Sequence, residues 1–464
     1  MTAAAIMSFL LSAGTTVAAA IDQDPVKKTS NKPSSAGDVP SIALSGYVNT
    51  RYVFRTAETS STGTIARDQD VLGDLRIDAT TPRSDRYEFH FMGSIRKDLD
   101  GNRDLHTHHP LEDIGDTGSR HTTGYLYEAH LDINDLFTRV TQLRMGRQPG
   151  TRDEQVTFDG IAMDIRPASS MNLTLYGGAA VNFFEIYRSE TRDTVAGAGL
   201  DLFPTTSTGI SFDYAASRDK RNYLEMTDVQ DKLLSLRIWQ RFTPYLKGIV
   251  KYRYVNDEAR DLNLRLLGSF PAAGTEIGAS YLRQFNIQAE QSNALSPFVD
   301  VVGTSDPYQS YEVKLRQFIG KRYAFDLAYF KRDLIGSEQH GAFNREYSRS
   351  AAGFEVSDLL IPNLSLTLSG DQWRSPGRSF ASGGADIGYA YGKKGNVMKI
   401  NTGTFYSLYK YDYYLQFGER TNVRTYYVNM KVPVVKQVAV SLGYEYEDSI
   451  EQFQTFKAGI RYDF

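Results

Sequence analysis

The chain has 464 residues and a formal net charge of -3, with a pI near 6.2 and a mean hydropathy of -0.40, so no basic field argues for nucleic acid. It contains no cysteine, which excludes disulfides, thiolate metal sites, haem attachment and lipoprotein acylation within the chain. No apolar run past the N-terminus approaches the roughly 18 residues of a membrane helix, yet 30 Tyr and 25 Phe against 2 Trp supply rings that suit a membrane–water boundary.

The chain opens MTAAAIMSFLLSAGTTVAAA, with a short apolar core from Ile6 to Leu11 and small residues Ala18, Ala19 and Ala20 before Ile21. This reads as a signal peptide over residues 1–20, although no Lys or Arg precedes the core. Residues 21–40, rich in Pro, Ser, Lys and Asp, read as a flexible periplasmic lead-in. Residues 41–464 are expected to form one β-barrel domain.

From Ile42 onward apolar and polar residues alternate, the period of a strand. Ile42, Leu44, Val48, Tyr52 and Phe54 oppose Ser45, Asn49, Arg51 and Arg55. Leu75, Ile77 and Ala79 oppose Asp74, Arg76 and Asp78; Tyr87, Phe89, Phe91 and Ile95 oppose Glu88, His90, Ser94 and Arg96. Tyr125, Tyr127, Leu131 and Ile133 oppose Glu128, His130 and Asp132. Near the end, Val438, Val440, Leu442, Tyr444 and Tyr446 oppose Ser441, Gly443, Glu445 and Glu447. The final strand places Phe456, Ala458, Ile460, Tyr462 and Phe464 on one face, and Thr455, Lys457, Gly459, Arg461 and Asp463 on the other. So many charges on one face suit a water-filled lumen, not the interface of a soluble sandwich.

Short turns are expected at 82–84, 203–205, 243–244, 271–273, 320–321, 361–363, 394–396 and 435–436. Longer polar segments at 57–67, 99–121, 181–193, 217–230, 289–306, 333–344 and 375–383 alternate with them. Short periplasmic turns alternating with longer external loops are the habit of bacterial outer-membrane barrels. The expected fold is therefore all-β: a single closed antiparallel transmembrane barrel of about 22 strands (range 18–22), with both termini periplasmic. The strand number depends on how 136–166 and 384–420 divide.

By parity the channel lining comprises Asp74, Arg76, Asp78, Glu88, Arg96, Glu128, Asp132, Arg144, Asp164, Arg166, Arg237, Lys251, Arg253, Arg265, Glu312, Lys314, Arg316, Glu445, Lys457 and Arg461, with Asp326 and Glu447. The mixed signs fit cross-strand ion pairing or a transverse field on a solute. Segment 99–121 carries His106, His108 and His109, with Glu112, Asp113 and His121 close by, a weak candidate for zinc or copper. No Gly-rich phosphate loop, HExxH or GxSxG in a fitting context occurs, so no catalytic site and no cofactor are expected. A barrel of this size is too wide to stay empty, and segment 99–121 is long enough to fold inward.

The terminal IRYDF, through Phe456, Ile460, Tyr462 and Phe464, resembles the assembly signal of Gram-negative outer-membrane porins. LRMGRQPGTRDEQVTFDGIAMD (143–164) is similar to the GRQ…FDG hairpin of alginate-export-like porins, which implies that Arg147, Gln148, Phe158, Asp159 and Gly160 sit near a hairpin's outer end. The segment YSLYKYDYYLQFGERTNVRTYY (406–427) resembles the barrels that accompany multihaem cytochromes. Two functions follow. One is a channel for small hydrophilic solutes. The other is a sheath holding a multihaem c-type cytochrome, so that electrons cross the membrane. Outer-membrane lipid and the barrel-assembly machinery are expected partners of either; nucleic acid is not.

Overall fold

The fold is that of a computed structural model describing residues 42–59, 64–81, 86–100, 111, 121–150, 152, 156–181, 193–219, 229–286, 306–336, 346–376, 378–393, 396–407, 423–448 and 452–464. The expected signal peptide and lead-in lie outside the described residues. So do His106, His108, His109, Glu112 and Asp113.

The first eight strands are β1 (Ala43–Thr59), β2 (Thr64–Thr80), β3 (Tyr87–Asp98), β4 (Thr122–Phe137), β5 (Val140–Gln148), β6 (Phe158–Ala168), β7 (Met171–Ala180) and β8 (Thr194–Thr205). Next come β9 (Thr208–Asp219), β10 (Val229–Thr243), β11 (Leu246–Val255), β12 (Glu258–Phe270), β13 (Thr275–Gln284), β14 (Tyr308–Ile319) and β15 (Tyr323–Leu334). The last seven are β16 (Tyr347–Val356), β17 (Leu364–Ser375), β18 (Arg378–Lys393), β19 (Asn396–Ser407), β20 (Val423–Val435), β21 (Val438–Asp448) and β22 (Gln452–Asp463).

Every strand pairs antiparallel with its sequence neighbours, and β22 pairs with β1, so the 22-stranded sheet has no edge. Closure matters because lipid offers no partner to a bare backbone N–H or C=O. At the seam Val48 lies opposite Tyr462 and Phe54 opposite Phe456. Gly46 and Phe464 exchange two backbone hydrogen bonds of 3.1 Å. Even β5, with 9 residues, reaches the roughly 9–11 needed to cross a bilayer at a tilt. Deleting Phe464 removes both bonds, each worth about 0.5–1.5 kcal/mol, together with a terminal ring. Slower appearance of the fast-migrating folded band on unheated gels is expected. Unchanged kinetics would show that the terminal residue does not help close the seam.

An even number of antiparallel strands brings both ends of the barrel to one rim. Six connections at that rim are only two residues long: 138–139, 169–170, 206–207, 244–245, 394–395 and 436–437. The opposite rim carries 99–121, 181–193, 285–307 and 408–422. That rim also has the tight hairpin Asn256-Asp257, whose positive φ values of 52° and 66° suit a two-residue turn matched to strand twist.

Two expected loops are largely strand. In 57–67, β1 runs to Thr59 and β2 begins at Thr64, and in 375–383 only 376–377 separates β17 from β18. Just below these strand ends Arg55 faces Asp68, and Asp371 faces Ser382, on the inner wall. A wall that meets water on its inner side needs no apolar residue there.

The two faces differ in chemistry along the whole sheet. The outer face exposes Leu44, Val48, Phe89, Ile95, Ile161, Phe212, Leu264, Ile277, Leu327, Val428, Leu442 and Ile460. Outward rings such as Tyr87, Tyr245, Tyr323 and Tyr462 mark the short-turn ends of strands, while Tyr254, Tyr311, Tyr426 and Tyr444 lie toward the other rim. Aliphatic residues fill the band between these rings, as in membrane barrels.

One stretch departs from strict alternation. The β3–β4 register slips between Met92 and Gly93, so Ser94, an inner residue, faces Tyr125. The Ser94 hydroxyl donates to the Tyr127 oxygen at 3.1 Å, and the Tyr125 and Tyr127 rings stack with centroids 6.2 Å apart. Both tyrosines, expected to face lipid, therefore turn inward, and Leu126 takes the outer position. A β-bulge adds one residue and flips the parity beyond it; alternation alone does not reveal where it falls.

Candidate functional site: the inner wall

Register places the charged residues expected to line the channel, from Asp74 to Arg461 and with Asp326 and Glu447 among them, together on the inner face. Cross-strand partners share a face, and the pairs link continuously from β1 round to β22. The strand order supplies this sharing: Asp78 faces His90, which faces His130, and Asp132 faces Arg144. Arg166 follows a register shift in β6, and its Nε donates to inner-face Asn172 at 3.1 Å.

Charge is not spread evenly. The arc β2–β4 presents Asp68, Asp70, Asp74, Asp78, Glu88, Asp98, Glu128 and Asp132. Arginines answer many of them. Arg55 pairs with Asp68 and Asp70, Arg96 with Asp70 at 2.7 Å, and Arg51 with Asp74 at 3.0 Å. Arg76 holds Asp78 at 2.8 Å. Arg144 grips Asp132 through Nε and a terminal nitrogen at 2.7 and 2.8 Å. In each pair the guanidinium supplies charge and directed donors to the carboxylate.

The arc β10–β12 is opposite in character. Toward the short-turn rim its inner face presents Arg237, Arg241, Lys247, Lys251 and Arg265 around Trp239 and Ile249. The Lys247 ammonium lies 4.8 Å over the Trp239 ring, and Arg265 donates to Asn263 at 3.1 Å. Arg237 and Arg241 have no carboxylate partner among the described residues. Carboxylates on this arc lie higher, where Asp261 receives Arg253 at 2.9 Å. Elsewhere the signs mix: Lys314 meets Glu312 at 2.8 Å, Arg316 meets Glu355 at 3.0 Å, and Lys457 lies 3.7 Å from Glu445.

Among the described residues outside the strands, Leu111 and Arg152 reach this wall from the connections. Leu111 is 1 % exposed and packs with Ala57 and Ala66, alongside Phe453, all inner-face residues of β1, β2 and β22. Arg152, from the β5–β6 connection, reaches the inner face of β8 and β9. It donates to Asp201 at 2.7 Å and to Asp213. The guanidinium lies over Gly199, where a Cβ would collide with it. Neither contact was visible in the sequence, because both depend on which strands lie below the loop.

The GRQ and FDG segments form the base of that connection. Arg147 and Asp159 face each other on the outer side, joined by two hydrogen bonds of 2.7 and 2.6 Å. Arg147 also donates to the Leu126 carbonyl at 3.1 Å. On the inner side Gln148 is fully buried opposite Phe158 and donates to the Gly160 carbonyl at 3.2 Å. Gly146 has φ 122°, and a Cβ there would strike the Ala129 carbonyl, so only glycine fits this close approach. These residues lie at the rim with the long connections and lock the two strands that project Arg152.

The cluster among the described residues that could hold a metal is not the segment 99–121 but His90, His130 and Asp132, on the inner face of β3 and β4. His121, the described member of the first group, bonds instead to Asp98 at 3.2 Å.

A closed sheet with an apolar outer belt and a charged inner wall defines a transmembrane β-barrel. No protein-family model matches the chain, and no curated protein matches its sequence. Among solved structures it is similar to the P pilus usher (PapC) translocation pore, with TM-score 0.49 and 9 % identity over 90 % of this chain and 99 % of that one. It is also similar to a BenF-like porin from Pseudomonas fluorescens, with TM-score 0.43 and 10 % identity over 92 % and 100 %. Pseudomonas aeruginosa OccK11 gives TM-score 0.40 and 12 % identity over 91 % and 95 %. Likeness of this degree carries no inference about substrate.

Proposed function

We propose that the protein is an outer-membrane channel for small hydrophilic solutes, with the short-turn rim in the periplasm and the long connections outside. Strands about 4.8 Å apart and tilted about 40° give a 22-stranded circle about 44 Å across the backbone. Allowing about 5 Å on each side for side chains leaves about 34 Å, far too wide to select small solutes. The observation that carries the reading is the anchoring of Leu111 and Arg152 to the inner wall, on two separate arcs. Chain held inside the bore narrows it for solutes. A sheath around a multihaem cytochrome would need that space clear.

The acidic β2–β4 arc and the cationic β10–β12 arc would set a field across the remaining opening, aligning polar solutes and favouring anions beside Arg237 and Arg241. Purified, haem-free barrel in a planar bilayer is expected to give discrete conductance steps. Stoichiometric haem absorbance in material from native membranes, or a barrel that never conducts, would overturn the channel reading. Replacing Arg237 and Arg241 together by Gln is expected to shift the reversal potential in a salt gradient toward cation preference. An unchanged potential would remove the β10–β12 arc from the selectivity path.

A further inference from the structure

Four inner-face side chains form a square on β3 and β4. Glu88 lies directly opposite Asp132, and His90 directly opposite His130. Opposed residues place their Cβ atoms about 5 Å apart, and residues two apart on one strand share a face. The imidazole centroids are 5.0 Å apart. Ligand atoms of His90, His130 and Asp132 all lie within 4.8 Å of one another.

Hydrogen bonding prepares these groups to act as ligands. His90 Nδ1 lies 2.7 Å from the Asp78 carboxylate, and His130 Nδ1 lies 3.2 Å from the Arg147 carbonyl. Each acceptor fixes the proton on Nδ1, which leaves both Nε2 atoms with bare lone pairs; this carboxylate- or carbonyl-backed histidine is the usual outer shell of a metal site. Of the carboxylates, Glu88 is held through one oxygen and offers the other, whereas Asp132 is held by Arg144 through both and would share them with the ion. Glu88 Oε1 accepts from Asn134 at 3.0 Å, while Oε2 lies 3.7 Å from His90 Nε2. Asp132 Oδ2 accepts from Gln142 at 2.9 Å, while Oδ1 lies 3.8 Å from His130 Nε2 and also receives Arg144.

From this geometry we propose that the inner wall carries a site for a divalent first-row transition ion, held by Nε2 of His90, Nε2 of His130 and the Asp132 carboxylate, with Glu88 completing the set. Two imidazoles and two carboxylates suit Zn²⁺ and its neighbours rather than Ca²⁺ or Mg²⁺. Bonds of about 2.0–2.1 Å put tetrahedral donors about 3.4 Å apart, so side-chain rotations of about 1 Å close the present spacing. His130 and Asp132 are buried and back onto the wall; the ion would arrive from the lumen past the less buried His90 and Glu88.

The test uses the full-length barrel, purified without a histidine tag and shown folded by heat-modifiable mobility. Titration calorimetry with Zn²⁺ and visible absorption with Co²⁺ report the site. One wall-bound ion per chain is expected, with loss of the Co²⁺ bands in His90→Gln and in His130→Gln. Asp78→Asn, which removes no ligand but alters the group behind His90, is expected to weaken Zn²⁺ by about 10–100-fold, the usual effect of removing a backing partner. The triple variant His106→Gln/His108→Gln/His109→Gln is expected to keep the site. No Zn²⁺ bound by the unaltered barrel, or binding that survives His90→Gln and disappears in the triple variant, would overturn the proposal.

Discussion

Leu442→Arg is expected to abolish most folded barrel, whereas Lys457→Gln on the neighbouring strand is expected to fold at normal yield. Leu442 sits midway along β21 on the outer face, between Met430 of β20 and Ala458 of β22. An arginine at mid-depth on the lipid face of a barrel costs about 2–4 kcal/mol, much of the margin that keeps a protein folded. Lys457 lies on the inner face, and its ammonium is 3.7 Å from Glu445. A half-exposed pair of that kind contributes about 0–1 kcal/mol. Both effects are read as the fraction of fast-migrating band on unheated gels after expression in membranes. Equal yields for the two variants would contradict the assignment of faces.

Arg152→Ala is expected to widen the channel. Arg152 is the contact that holds the β5–β6 connection against β8 and β9, through Asp201 and Asp213. Removing one partner of a largely desolvated ion-pair group costs about 3–5 kcal/mol, and each 1.4 kcal/mol is tenfold in an equilibrium. The anchored state should therefore give way to a released one, with larger single-channel steps and faster entry of bulky sugars into liposomes. Gly199→Val approaches the same end differently, because its side chain occupies the place of the guanidinium while every charge is kept. Both variants should shift conductance in the same direction. Unchanged conductance in both would mean that Arg152 does not narrow the path.

The sequence carries the fold well, because a barrel strand writes its two solvents into alternate letters. Arg76 between Asp74 and Asp78, flanked by Leu75 and Ile77, suffices to assign both faces of β2. What alternation cannot carry is anything that depends on the neighbouring strand. The bulge that turns Tyr125 and Tyr127 inward is set by pairing with β3, and no letter of β4 marks it. The square of Glu88, His90, His130 and Asp132 exists only once β3 and β4 are in register, although the pairs Glu-x-His and His-x-Asp were visible separately. The strand ends near Ala57 and Ala66 read as loops because Glu58 and Arg67 flank them, while the Leu111 that covers both alanines comes from outside the strands. The Arg152 contact was hidden for another reason: a loop residue's partners are fixed by where the barrel wall passes beneath it.

The central claim is that alternate side chains of this sheet meet water and lipid. Because the native chain has no cysteine, single cysteines placed successively from Thr455 to Ile460 in β22 form a clean probe of it. With the barrel in liposomes, a charged, membrane-impermeant thiol reagent should label Thr455→Cys, Lys457→Cys and Gly459→Cys and spare Phe456→Cys, Ala458→Cys and Ile460→Cys. Labelling without a two-residue rhythm, or with the rhythm reversed, would contradict the account.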